Sequence, residues 1–288
     1  MIVAGVVIGL GALAGAGAAV LTWRWKRADP TDPHLERRTV RHFLREHPVV
    51  VRLLKRHPSP SPATAEVLGV AAAGVLVATA ATGVLLLMIR TRTGVARADT
   101  PLAEWAADNA TATSTDVLRS ISDLGGTNVV VMAALAVTAF EVFRDRRWAV
   151  PMFVTLVVGG QFLLSNGIKL IVDRARPSIS PLTGFAGTSF PSGHSVAAAA
   201  TWACLAFVLG RRRNRHVRAV LQGTAVGIAV AVATTRVALG VHWTTDVLAG
   251  LFVGWAWFAA CAIAFGGRVL HFGEPVKIAE EEVAASVP

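Results

Sequence analysis

Residues 148–170 read WAVPMFVTLVVGGQFLLSNGIKL, with a single charged side chain, Lys169, next to the end of the run. At about 1.5 Å of rise per residue, a helix of this length crosses the roughly 30 Å hydrocarbon core of a bilayer. The run is continuously apolar rather than alternating, which argues against a membrane strand. Working outward in both directions, six further runs share its character: Ile2–Trp23, Ala65–Ile89, Asn128–Phe143, Ser195–Gly210, Ala219–Thr235 and Trp243–Phe265. The expected fold class is all-α, a polytopic membrane helix bundle with seven spans.

Composition supports that reading. Of 288 residues, 53% are hydrophobic and only 16% charged, the reverse of a disordered chain. The two cysteines, Cys204 and Cys261, lie inside apolar runs and read as packing residues, so a disulfide scaffold is excluded. The net charge of +10 would suggest nucleic acid in a soluble protein. Here the basic residues fall between spans: ten Lys/Arg in 24–62, then Arg144-Asp-Arg-Arg147, then 211–218. Seven spans put these segments on one side, which the positive-inside rule makes cytoplasmic. The N-terminus is then outside, the C-terminal tail cytoplasmic, and no nucleic-acid partner is expected. Arg90, Arg92 and Arg97 are the contrary signal on the outer side. The first run has its basic cluster after the apolar stretch, opposite to a secretory signal, and reads as a retained span.

The expected organisation is an N-terminal span with a basic cytoplasmic segment (1–62), a membrane core (63–267) and a cytoplasmic tail (268–288). Within the first, 35–56 reads equally as an interfacial amphipathic helix or a solvated loop. The outer segment 98–124, with Leu102, Trp105, Leu118 and Ile121, is expected to contain a short helix at the interface.

Three outer segments remain for chemistry, and scarce residue types concentrate there. Of eight histidines only His194 and His242 fall outside, and Lys169 is the one lysine at the outer end of a span. A lysine there is costly without a partner or a role. Lys169 and Arg176 are seven apart and would share a helix face if the helix reached that far. Pro191-Ser192-Gly193-His194 feeds a helix start, where free N–H groups and the helix dipole favour an anion. Arg236 precedes His242, and Asp246, four residues on, can accept from one imidazole nitrogen and raise the basicity of the other. Cations and N–H donors match a tetrahedral oxyanion, and two histidines with a carboxylate match a nucleophile and a general acid. Taken singly each has an ordinary explanation, since Lys and Arg at helix ends commonly snorkel to headgroups. Their convergence on one membrane face carries the argument.

At these positions the sequence resembles the type 2 phosphatidic acid phosphatase (PAP2) superfamily, which includes lipid phosphatases and vanadium haloperoxidases. The residues are Lys169-x6-Arg176-Pro177, Pro191-Ser192-Gly193-His194 and Thr235-Arg236-x5-His242-x3-Asp246, with Thr235 where the family pattern has Ser. The resemblance implies a six-helix core, with Ile2–Trp23 as an addition. It also implies hydrolysis of a lipid phosphate or prenyl diphosphate, such as undecaprenyl diphosphate or phosphatidic acid, at the outer leaflet, without metal or other cofactor. His242 would be the nucleophile held by Asp246, and His194 the general acid. Lys169, Arg176, Ser192, Gly193 and Arg236 would hold the phosphate. A phosphotransferase with an acceptor other than water, and a non-catalytic lipid-phosphate binding or transport protein, are the alternatives. Haloperoxidase activity is disfavoured by the seven spans. Neither the particular lipid nor the oligomeric state is set by these motifs.

Overall fold

The computed structural model describes residues 1–24, 62–145 and 148–269. The amphipathic segment 35–56, most of the basic stretch 24–62 and nearly all of the tail 268–288 lie outside the described residues. Among those described there are nine α-helices and no strand: α1 (Ile2–Arg24), α2 (Pro62–Thr91), α3 (Asp99–Asp108), α4 (Ala112–Asp123), α5 (Thr127–Asp145), α6 (Ala149–Val172), α7 (Gly193–Gly210), α8 (Arg215–Ala238) and α9 (Thr244–Val269). A 3-10 turn, Gly94–Ala98, joins α2 to α3.

Seven of these helices are long and apolar enough to cross a membrane: α1, α2 and α5 to α9. They coincide with the seven apolar runs, and differences fall at helix ends. α7 starts at Gly193 because the Ser192 side chain accepts from the Ser195 N–H, and α8 starts at Arg215 because Asn214 accepts from Val217. These caps extend helices into polar turns that an apolar pattern omits. The outward surface is strongly apolar, with Leu76, Leu163, Leu170 and Ile171 all more than 70% exposed. A water-soluble surface does not carry such a band. The segment 98–124 forms two short helices, α3 and α4, rather than one, and a Thr111–Ser114 capping box starts the second.

α7 is the most enclosed span, and its alanine run 197–200 lets neighbours approach closely. α9 meets it through Gly250 and Gly254. A Cβ at Gly254 would lie 2.6 Å from the Val196 carbonyl oxygen, and one at Gly250 would lie 2.9 Å from that of Ser192. This notch brings the start of α9 against the start of α7. At the far end of the bundle Phe153, Phe207, Phe258 and Phe265 form an aromatic cluster. Cys204 and Cys261 are unpaired packing residues in the same core. A buried Arg211–Glu141 ion pair ties α5 to the end of α7 there.

α1 is docked on α8 by two facing glycine pairs. A Cβ on Gly15 would lie 2.7 Å from the Gly223 oxygen, and one on Gly223 would lie 2.6 Å from the Gly15 oxygen. Gly11 and Gly227 repeat the arrangement at 2.9 Å in both directions. These are G-x-x-x-G seams, in which missing side chains let two backbones touch. Gly15→Leu must separate the helices, an overpacking cost of about 1–3 kcal/mol. Gly17 faces open space, so Gly17→Leu is the matched control. Thermal melting in detergent is expected to show a clear loss for Gly15→Leu and little change for the control.

Candidate active site

The site lies at one end of the bundle, where α6, α7, the 239–243 turn and α4 meet. Its construction begins with a helix stop. α6 ends at Val172 because Asp173 adopts the left-handed conformation (φ 42°, ψ 48°), its N–H bonding to the Lys169 oxygen at 3.1 Å. Asp is one of the few side chains that visits this region readily. The expectation that Lys169 and Arg176 share a helix face is therefore not met, because the helix closes before Arg176. A loop, 173–192, brings Arg176 back instead. It lies against the α8–α9 turn at Gly240 (φ 69°), where a Cβ would meet the Ile179 oxygen at 2.9 Å. The Leu182 N–H completes that contact by bonding to the Leu239 oxygen at 3.0 Å.

Arg176 is fully engaged. Its Nε donates to the Gly187 oxygen at 2.9 Å, and its Nη2 donates to the Ala186 and Thr188 oxygens at 2.8 and 3.1 Å. Its Nη1 donates to the Val241 oxygen at 2.7 Å and to His242 Nε2 at 3.0 Å. A guanidinium only donates, so Nε2 must accept, which places the imidazole proton on Nδ1. Burial lowers the pKa of Arg176 from its ordinary value, and Asp246 opposes that shift.

Nδ1 of His242 faces Asp246 Oδ2 at 3.6 Å, within ion-pair range but too long for a hydrogen bond, and it has no other partner. The four-residue spacing suggested that Asp246 accepts directly from the His242 ring. Instead α9 starts at Thr244, which leaves His242 in the preceding turn. Oδ2 is taken by the Ser189 hydroxyl and, at 2.9 Å, by the Trp243 N–H. Such contacts commonly tighten only when a reaction partner binds. Burial is the largest influence on His242 and lowers its pKa to about 4; Asp246 opposes this, while Arg176 and Arg236 add to it. The ring is therefore neutral at neutral pH, with the Nε2 lone pair held by Arg176.

The other expected residues converge on the same pocket with different local roles. Lys169 Nζ donates to the Thr188 oxygen at 3.2 Å. His194, half-buried in the first turn of α7, lies within electrostatic reach of Arg236, His242, Lys169 and Arg176. Arg236 is buried, with Nη1 donating to the Ser122 hydroxyl at 2.7 Å, while its Nε has no partner. An unpartnered buried guanidinium N–H carries a desolvation cost that an acceptor would relieve. Ser192 is fully buried, and its hydroxyl caps α7 and accepts from the Ser195 hydroxyl at 3.0 Å. The N–H groups of Gly193 and His194 belong to a first turn without helical partners. The α4–α5 turn packs beside this first turn, where a Cβ on Gly125 would meet the His194 oxygen at 2.8 Å.

Five residues escaped sequence reasoning. Ser189 adjoins the Pro-Ser-Gly-His stretch, and Arg174 sits between Lys169 and Arg176, so proximity to the motifs was the available signal. Thr245 likewise adjoins Asp246, whereas Ser122 and Asp99 reach the site through tertiary contacts that no spacing announces. Among the described residues, no three His, Cys, Asp or Glu side chains converge as a metal site would require.

A sequence profile of the PAP2 superfamily matches residues 148–269. Phosphatidylglycerophosphatase B of Bacillus subtilis (strain 168) is 34% identical over 142 residues, covering 48% of this chain and 69% of that protein. A lipid A 1-phosphatase of Rhizobium johnstonii is 36% identical over 132 residues, 42% of this chain and 49% of its own length. This chain therefore spans about half of that second relative. The crystal structure of a transmembrane PAP2 type phosphatidylglycerolphosphate phosphatase from Bacillus subtilis aligns with a TM-score of 0.63 at 28% identity. That alignment covers 68% of this chain and 96% of the other.

The state of His242 has a consequence for stability. Between about pH 6.5, the ordinary histidine value, and about pH 4, the unfolded chain binds a proton here that the folded chain does not. Stability from this group is thus present above pH 6.5 and declines as the pH falls through that window. Melting temperatures measured from pH 7 to 4.5 are expected to fall less steeply for His242→Gln than for the wild type.

Proposed function

Because this chain belongs to the PAP2 superfamily and is a membrane lipid phosphatase of the PAP2 type, we propose that it releases the terminal phosphate of a lipid phosphate or prenyl diphosphate through a phosphohistidine on His242. The observation that supports this most is the convergence of Lys169, Arg176 and Arg236 around two histidines, with His242 Nε2 free of a proton. Nε2 attacks phosphorus, the bond to the lipid oxygen breaks, and His194, which takes up a proton when the anionic phosphate binds beside it, gives that oxygen its proton. His194 then takes a proton from water. The resulting hydroxide attacks phosphorus, the P–N bond breaks, and phosphate leaves with His242 restored. In the resting site Arg176 Nη1 covers Nε2, so an incoming phosphate oxygen must take over that donor before attack. Lys169, Arg176, the Arg236 Nε and the first-turn N–H groups of Gly193 and His194 would hold the equatorial oxygens. Ser192 supports this cradle by capping α7. Such donors stabilise most where charge redistributes in the transition state.

The substrate class follows from the setting. The site sits at the end of helices whose flanks face hydrocarbon, so a headgroup can enter while its chain stays in the bilayer. The two enzymes above are named for phosphatidylglycerol phosphate and lipid A phosphate, both phosphorylated lipids. Phosphatidic acid, phosphatidylglycerol phosphate and undecaprenyl diphosphate present a similar terminal group. We place the site on the extracytoplasmic face, with the N-terminus outside. Arg144, Arg211–Arg213, Arg215 and Arg218 lie at the opposite end of the spans, outweighing Arg90, Arg92 and Arg97. The chemistry calls for no metal or other cofactor, and we treat α1 with 25–62 as an addition to a 63–267 core.

Purified protein in detergent, assayed for phosphate release on a panel of these lipids, tests the reading. His242→Ala is expected to lose at least about a thousandfold in turnover, as loss of a nucleophile does, and activity should persist in chelator. Undiminished turnover in His242→Ala would overturn the assignment.

A further inference from the structure

The charge on Asp246 is handled by residues that are not among the fixed positions of the three motifs: Arg174 and Thr245 at their variable positions, and Asp99 outside them. Arg174 spans two buried carboxylates. Its Nη1 donates to Asp246 Oδ1 at 2.5 Å, and its Nη2 donates to Asp99 Oδ2 at 2.8 Å. Thr245 links the pair again. Its hydroxyl accepts from Arg174 Nη1 at 2.7 Å and donates to Asp99 Oδ2 at 2.7 Å, while its N–H bonds to Asp99 Oδ1 at 2.9 Å. The guanidinium also lies over the Trp243 ring, 5.6 Å from its centroid. Asp99 is 4% exposed and Asp246 0%. Asp99 belongs to α3, which lies outside the region that the superfamily profile matches.

Charge counting shows what the arrangement does. Asp246 with Arg174 alone is a neutral pair. A neutral pair gives little support to the positive charge that an imidazole gains when Nε2 forms a bond to phosphorus. Asp99 claims the other arm of the guanidinium, and the triad Asp99–Arg174–Asp246 then carries a net charge of −1 next to His242. The bridge also fixes Oδ1, so that Oδ2 is presented toward His242 Nδ1 at 3.6 Å.

We propose that Asp99 is a positioning residue for the reaction, acting through Arg174 to keep Asp246 oriented and net negative behind His242. The proposal rests on the reading of His242 as nucleophile. It makes the short helix α3 part of the catalytic apparatus rather than an interfacial decoration.

Single-turnover kinetics on a phosphorylated lipid in detergent test it, with rates expressed per folded enzyme. Asp99→Asn preserves shape and removes the charge. It is expected to slow formation of the phosphohistidine by roughly 10- to 100-fold, less than the roughly 100- to 1000-fold lost with a group that itself touches the transition state, while leaving KM within about twofold. Asp99→Glu restores the charge and should recover most of the rate. Thr245→Val keeps every charge but cuts the hydroxyl link, and is expected to act in the same direction with a smaller loss. An unchanged rate per folded enzyme in Asp99→Asn, with only a lower melting temperature, reduces the network to a structural one and overturns the proposal. If Asp99→Asn does not fold, an unchanged rate in Thr245→Val does the same. His242→Ala in the same assay separates the two levels. An active His242→Ala protein removes the nucleophile reading and this proposal with it. An inactive one combined with a normal Asp99→Asn rate removes the proposal alone.

Discussion

A carboxylate with no exposure to water, Asp246, sits in the first turn of a membrane-spanning helix, and much of the site is the solution to that problem. A buried charge costs several kcal/mol unless its surroundings replace water. The replacement donors come from three places: the Ser189 hydroxyl in the long loop, the Trp243 N–H in the turn before α9, and Arg174 just after α6, which Thr245 and Asp99 hold from behind. Satisfying one carboxylate therefore pins the loop, the turn and α3 to each other. The backbone follows suit, as the Ser189 N–H bonds to the Arg174 oxygen at 2.7 Å and the Ser192 N–H to the Asp246 oxygen at 3.1 Å. The glycine notch between α7 and α9 is what lets those two helix starts lie close enough for this.

The spans were readable because lipid leaves a helix little choice: backbone groups must be satisfied internally, so a long apolar run is a helix. The residues that converge at the candidate site were readable because rare types, two histidines and one lysine, stand out when sorted by the end of the span on which they lie. What could not be read was how the chain departs from periodicity. Extending the helical repeat from Lys169 to Arg176 fails at Asp173, whose left-handed conformation is a local decision invisible to a count of residues. The His242–Asp246 spacing likewise suggested one helix, but the helix begins two residues after His242. Asp99 shows a deeper limit. Its partners are 75 and 146 residues away in sequence, and only the apolar face of its segment left a pattern.

Arg176 illustrates why resting geometry and reacting geometry differ. Every N–H of its guanidinium is already bonded to protein, four of the five to backbone carbonyls. Binding an anion there is an exchange of partners rather than a new contact, so affinity reflects a difference between charged and neutral acceptors. Arg236, with one buried N–H unmatched, gains outright. The two arginines thus contribute unequally although both belong to the same cationic set. The overall charge of the chain says nothing about either of them.

The glycine seam between α1 and α8 also bears on how the molecule is assembled. Helices that enter a bilayer one after another can associate only with those already present. Among the described spans α1 precedes the other six, yet its glycines close on α8, with four spans between them in the chain. Until α8 arrives, the backbone groove at Gly11 and Gly15 has only lipid against it. The first of the described spans is thus locked only after the four that separate it from α8 have entered.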